Sequence, residues 1–207
     1  MTAHTIYVSA GWIAVVLGII GTIAQYVRIN RLGVEGVSLA TWLLFVLLGS
    51  FWITYGAVSA HSWQVLLGSL LILPFQISIV TRLKPWRRWR VTSRSFVFFL
   101  VSCVLPTLMW GWAGGVYGTG VAMVAMRIPQ IVELLRQEDA SGVSASSWVL
   151  GVCGAALWIA YYTGSSLWAP LISTFCSGVA SLVIACLASW RHSQGRNRLV
   201  AAEVFAD

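Results

Sequence analysis

Charge is what this sequence has least of. Of its 207 residues only 9% are Asp, Glu, Lys or Arg, while 58% are hydrophobic and the mean hydropathy is +0.83. A soluble domain carries roughly one quarter charged residues, so a water-soluble fold is excluded and the chain reads as an integral membrane protein. The six acidic residues, Glu35, Glu133, Glu138, Asp139, Glu203 and Asp207, all fall at or beyond the ends of apolar runs, and His4, His61 and His192 lie outside those runs too. A proton relay needs an ionisable group embedded in the membrane, so proton coupling is not expected. The same scarcity leaves no base, nucleophile or metal-ligand cluster, so neither an enzyme nor a cofactor is expected. Lysine occurs once, as Lys84 in a polar stretch, which excludes a retinal-type Schiff base. The four cysteines, Cys103, Cys153, Cys176 and Cys186, lie in apolar runs without a CxxC spacing and read as packing residues. Residues 1–5 lack the basic start of a secretory signal, so the first apolar run reads as a retained helix.

What is abundant is apolar sequence in blocks. A bilayer core of about 30 Å takes about 20 residues of helix, and that length divides the chain into seven spans at 6–28, 39–58, 63–81, 95–110, 113–135, 147–163 and 167–190. The fourth is the shortest, and "MWGWAGG" leaves only a tight turn before the fifth. The net charge of +7 is carried between the runs and not as a stripe that could follow phosphates, so nucleic acid is not an expected partner. Arg28 and Arg31 follow the first span, "RLKPWRRWRVTSR" the third, Arg136 the fifth, and Arg191, Arg196 and Arg198 the seventh, whereas the opposite loops hold no Lys or Arg. The positive-inside bias then puts the N-terminus outside and the C-terminus in the cytoplasm of a plasma-membrane protein. Trp86 and Trp89 make "KPWRRWR" a topology anchor at the interface, with an anionic-lipid or partner site as the other reading.

The chain also repeats itself. "GTIAQYVRINRLGVEGVSLATW" at 21–42 and "MRIPQIVELLRQEDASGVSASSW" at 126–148 align Gln25 with Gln130 and Gly36-Val37-Ser38 with Gly142-Val143-Ser144. Beyond them Trp42 meets Trp148, Trp52 meets Trp158, Ile53 meets Ile159 and Tyr55 meets Tyr161. Constant offsets over this length indicate internal duplication. Both copies carry basic residues in the same connecting loop, so both run the same way through the bilayer. Three helices end on the far side from where they began, so a parallel second copy needs one extra crossing, which the fourth span supplies.

With "PQI" at Pro129 to Ile131, "GVS" followed by Trp, and "W-I-x-Y" twice, the chain resembles the PQ-loop superfamily, and its three-plus-one-plus-three layout resembles the bacterial-like SWEET-type (MtN3/saliva-like) sugar facilitators. The resemblance covers roughly 6–190. It implies an all-α membrane protein of two parallel three-helix repeats, 6–81 and 113–190, joined by a basic loop and linker helix at 82–112 and followed by a cytoplasmic tail at 191–207. It also implies that the two bundles rock about a central sugar site, with the PQ proline as hinge.

Pro129 removes a backbone hydrogen bond and crowds the carbonyl four residues back. Gln130 is expected to re-satisfy a freed backbone group, and Gln25 is its counterpart in the hinge of the first copy. There Ala24 stands in place of the proline, so helix one should bend less, with Gly18 and Gly21 as softer points. Trp52 and Tyr55, like Trp158 and Tyr161, are three apart and share a helix face. Trp52 lies about 9 Å from its helix end at 1.5 Å per residue, and Ser69, Trp158 and Thr174 fall at similar depth. Those four are the expected substrate contacts, an aromatic wall with hydroxyl donors suited to a small polar solute. Tyr55 and Tyr161, one turn further out, are the expected gate. The family commonly places an Asn on the third helix of each repeat; here Asn30 and Asn197 are the only asparagines and neither is embedded, so Ser69 and Thr174 are read as replacements with less bonding capacity. Arg127 is the one buried charge, a candidate for an anion or inner-gate contact, with a structural role slightly ahead.

The expectation is therefore an uncoupled facilitator of a small molecule, sugar foremost. A PQ-loop transporter of amino acids or another metabolite is the alternative on the same fold, and a non-transporting sensor or receptor the alternative from another class. Membrane lipid is the other expected partner, self-association stays open, and the stretch after Trp190 reads as a flexible tail.

Overall fold

The computed structural model describes residues 3–165 and 168–204. Every regular element in them is helical: α1 (Ala3–Leu32), α2 (Leu39–Val58), α3 (Trp63–Arg82), α4 (Trp89–Phe99), α5 (Leu105–Ala125), α6 (Ile128–Arg136), α7 (Ala145–Gly164) and α8 (Trp168–Val204), with a short 3-10 turn at Pro85–Arg87 and a π turn at Leu100–Val104. Six helical stretches are long and apolar enough to cross a membrane, one of them the 48 residues Trp89–Arg136.

That long stretch is not straight. At Trp110 (φ −128°, ψ 16°) and Gly111 (φ 67°, ψ −163°) the backbone leaves the helix, a reversal that Gly111 makes without a Cβ penalty. The chain then doubles back, because a side chain at Gly118 would strike the Ser102 carbonyl oxygen. Pro106 explains why that oxygen is approachable: it has no N–H to give to Ser102, and the Leu105 N–H reaches to Leu100 across a wider π turn. Thr107 and Ser102 return hydroxyl bonds to Cys103 and Phe98 carbonyls at 2.6 and 2.7 Å.

Ser38 caps α2 and Ser144 caps α7, each hydroxyl accepting from the N–H three residues on, at Thr41 and Ser147. α1 buries a stripe of small residues, Ala10, Gly11, Ala14 and Gly21, and ends it on Gln25. Along that stripe it packs closely on α7 and also meets α3, while α2 lies on α3 and α8 on α7. Small residues let membrane helices approach this closely, which is where packing attraction comes from when no water is present. Large apolar side chains such as Ile13, Ile20, Leu108, Val121 and Ile172 face outward, as a hydrocarbon surround requires.

The apolar core is concentrated at the arginine-bearing end. Ile29, Val37, Leu39, Trp42, Leu134, Val143, Trp148 and Ile184 form one buried cluster there. Two expectations need correction. The stretch 191–204 is not a loose tail but continues α8, because Arg191 donates to the Leu134 and Leu135 carbonyls at 2.9 and 2.8 Å and so closes the end of α6. Of the cysteines only Cys103 is buried; Cys153, Cys176 and Cys186 are exposed on the helix surfaces. Residues 205–207 of the expected tail lie outside the described residues.

Candidate functional site

The connecting loops meet at the basic end, and two glutamines lock them. Gln25 on α1 donates from Nε2 to the Gly142 carbonyl at 2.7 Å and accepts from the Ser144 N–H at 2.8 Å. Gln130 on α6 does the same to the other loop, donating to the Gly36 carbonyl at 2.6 Å and accepting from the Ser38 N–H at 2.9 Å. Each amide is 1% exposed, so both bonds are made away from water, where unmade ones are costly. The copies therefore hold each other's loop reciprocally. Gln130 does not repair its own helix, as the sequence suggested; it ties the second copy to the first. The loops approach so closely that a side chain at Gly142 would stand 2.6 Å from the Gly33 carbonyl oxygen, and Gly36 takes φ +74° against Ala140.

Pro129 sits in the first turn of α6, after a break at Met126–Arg127. Here the Arg127 N–H turns to the Val124 carbonyl, three residues back, which strands the Met123 carbonyl. The Arg127 guanidinium bonds that stranded oxygen itself through Nη1, and its Nε donates to Ser181 Oγ at 2.9 Å. α1 runs through Ala24 and Gln25 without interruption. So the break is present in one copy only.

Above the locked loops lies a cavity of about 280 Å³ between the two sets of helices. Trp52, Trp158, Ser69, Thr174 and Arg127 all line it, so the residues assembled from depth alone share one space. Tyr55 and Tyr161 do not line it. They back the tryptophans that do, Trp52–Tyr55 and Trp158–Tyr161 each meeting edge-on at 5.5 Å and 80°. Tyr55 also packs on Phe51 and Trp112, and Tyr161 on Tyr162.

Several lining residues were missed. Tyr162 stacks on Trp158 at 5.4 Å, and Phe45 bridges Trp42 and Trp148 at 5.2 and 6.2 Å while lying 5.7 Å from the Arg127 guanidinium. Gln76, Ser177 and Ser181 also line the cavity. A signal for these was present: Ser69, Ile72 and Gln76 on α3 and Thr174, Ser177 and Ser181 on α8 follow the same i, i+3, i+7 spacing, which is one helix face. An embedded amide is therefore present as Gln76, seven residues after Ser69. Gln76 is 3% exposed and its Oε1, close to Gly49, has no hydrogen-bond partner; Ser177 Oγ has none either.

Arg127 is the one charged side chain lining the cavity among the described residues. Among those residues no three His, Cys, Asp or Glu side chains lie together as a metal site. Compared with family models, curated proteins and solved structures, the chain matches none.

Proposed function

We propose that this chain is a small-molecule membrane transporter: seven crossings, arranged as two parallel three-helix repeats with a linker helix, that expose one central cavity alternately to either side. Counting the reversal at Trp110–Gly111 as the end of one crossing turns the six long stretches into seven. Loop charge orients the N-terminus outside and the C-terminus in the cytoplasm of the plasma membrane. The observation that carries the proposal is a largely apolar, aromatic-walled cavity with a few polar side chains, lying between the helices and closed at the basic end by reciprocal glutamine bonds. A cavity closed at one end by bonds between two bodies is what alternating access requires of one of its states.

The solute is small and polar with an apolar face, of sugar type, set between Trp52 and Trp158 and bonded by Ser69, Thr174 and Gln76. Movement is downhill, since no acid lines the cavity among the described residues. Arg127 on the lining favours a second reading on the same fold, in which the cargo is another metabolite, one that bears an anionic group.

Uptake of labelled glucose, a pentose and neutral amino acids into proteoliposomes tests the proposal. Saturable equilibration that is lost in Trp52→Ala/Trp158→Ala supports it. Ligand binding with no uptake of any solute would make the protein a sensor and overturn transport.

A further inference from the structure

Resting on the transporter reading, we infer that the solute carries an anionic group, and that the cargo is a small hydroxylated monocarboxylate of sugar-acid type, its carboxylate seated on Arg127.

The inference starts from what the cavity offers and lacks. Arg127 commits Nε to Ser181 and Nη1 to Met123, and its remaining nitrogen, Nη2, has no acceptor among the described residues. Among the described residues no carboxylate lines the cavity to balance it. An arginine stays charged at any physiological pH, and a cation inside the membrane without a counter-ion is held at a cost that an arriving anion removes. Its two fixed bonds hold the guanidinium in place before the solute arrives, so little side-chain freedom is lost on binding. Two further groups have no protein partner although nearly fully buried: Gln76 at 3% and Ser177 at 2% exposure. Both residues line the same cavity, as do Ser69 and Thr174, with Gln76 Oε1 itself resting against Gly49. Together they match a molecule with several hydroxyls and one carboxylate.

The duplication makes the point independently. At the offset of 105 that relates Gln25 to Gln130 and Ser69 to Thr174, Thr22 corresponds to Arg127 and Gln76 to Ser181. All four line the cavity, so one copy contributes a neutral pair, threonine and amide, and the other a cation with a hydroxyl. A solute with no charge would be served by the neutral pair twice. An ammonium group has no carboxylate to meet and is repelled by Arg127, which disfavours amino acids.

Glucuronate tests this, because it differs from glucose in bearing a carboxylate at C6 and is ionised near pH 7. Proteoliposomes are loaded to give an inside-positive potential with potassium and valinomycin, and labelled glucuronate, glucose and alanine are compared. Glucuronate should equilibrate fastest, and the potential should raise its accumulation while leaving glucose unaffected. Arg127→Gln should lower glucuronate uptake about 10- to 100-fold, the scale of a lost charge-assisted hydrogen bond. Because Arg127 also bonds the broken helix, Ser177→Ala and Gln76→Leu provide variants away from the break, each expected to cost glucuronate several-fold. Quenching of the cavity tryptophans by glucuronate reads binding apart from transport. Glucose or alanine uptake with glucuronate excluded, or glucuronate uptake indifferent to Arg127→Gln, overturns the anion assignment and leaves the transporter standing. Saturable quenching by glucuronate without uptake keeps the anion site and overturns transport, and neither quenching nor uptake by any of the three overturns both.

Discussion

The two segments that carry Gln25 and Gln130 hold the same lock on different frames. Gln25 and Gln130 make matching pairs of bonds, each to the other copy's loop. Yet Gln25 rides on an unbroken helix with Ala24 before it, while Gln130 follows a break and a proline. The seams between the copies differ in the same sense. α1 lies tightly along α7, with Gly11 against Tyr161, Gly21 against Ser147 and Gly164 against Tyr7, and Ser147 Oγ donates to the Gly21 carbonyl at 2.6 Å. Its counterpart, α2 against α5 and α6, is much sparser. On the transporter proposed above, symmetric locks on an asymmetric frame would make the α1–α7 seam the pivot and the α5–α6 arm the moving part.

The comparison can be broken first at the locks. Gln25→Leu or Gln130→Leu strands a buried carbonyl and a buried N–H, at about 1–3 kcal/mol each. Each variant should melt earlier in detergent, and a cysteine placed at Val37, buried at 2% exposure, should become reactive to a membrane-impermeant maleimide. Next is the frame: Ala24→Pro writes the second copy's break into the first and should cost about 3 kcal/mol. A cost near zero would mean that α1 already tolerates a bend and the asymmetry is only apparent. The seam follows, since a side chain at Gly21 would stand 3.3 Å from the Ser147 carbonyl oxygen. Gly21→Leu should therefore lower stability by about 1–3 kcal/mol, whereas the same change at Gly18, where nothing lies nearby, should be mild. Smallest in stability is Pro129→Ala, less than about 1 kcal/mol because proline is at home in a first helical turn. Its effect should appear instead as slower transport with unchanged solute affinity, the pattern of a hinge.

Which of these features the sequence announced follows from the range of the interactions. α2 falls at Leu39–Val58 just as the apolar run indicates. The depth of Trp52, Trp158, Ser69 and Thr174 was also legible, because helix rise is fixed and the duplication supplies the second set. Bonds between the copies were not, since nothing local in "PQI" distinguishes a glutamine repairing its own helix from one reaching a loop 94 residues away. The continuation of α8 was hidden for a similar reason: 191–196 is polar, and the contacts of Arg191 with α6 and of His192 with Arg28 at 3.1 Å and the Ala140 carbonyl at 3.0 Å give it a place. Gln76 was overlooked although its spacing from Ser69 was visible, because an asparagine was sought at one depth. The role of Arg127 as partner of the Met123 carbonyl depends on a backbone break that no residue pattern states outright.

The most direct test is a distance across the locked end. Spin labels at the exposed Arg31, after the α1 lock, and Arg136, at the end of α6, report whether the loops part. A single short distance without solute, joined by a longer population when a transported solute is added and dominated by it in Gln25→Leu/Gln130→Leu, is the expected result. One distance that neither solute nor the double variant moves would contradict a basic end that opens.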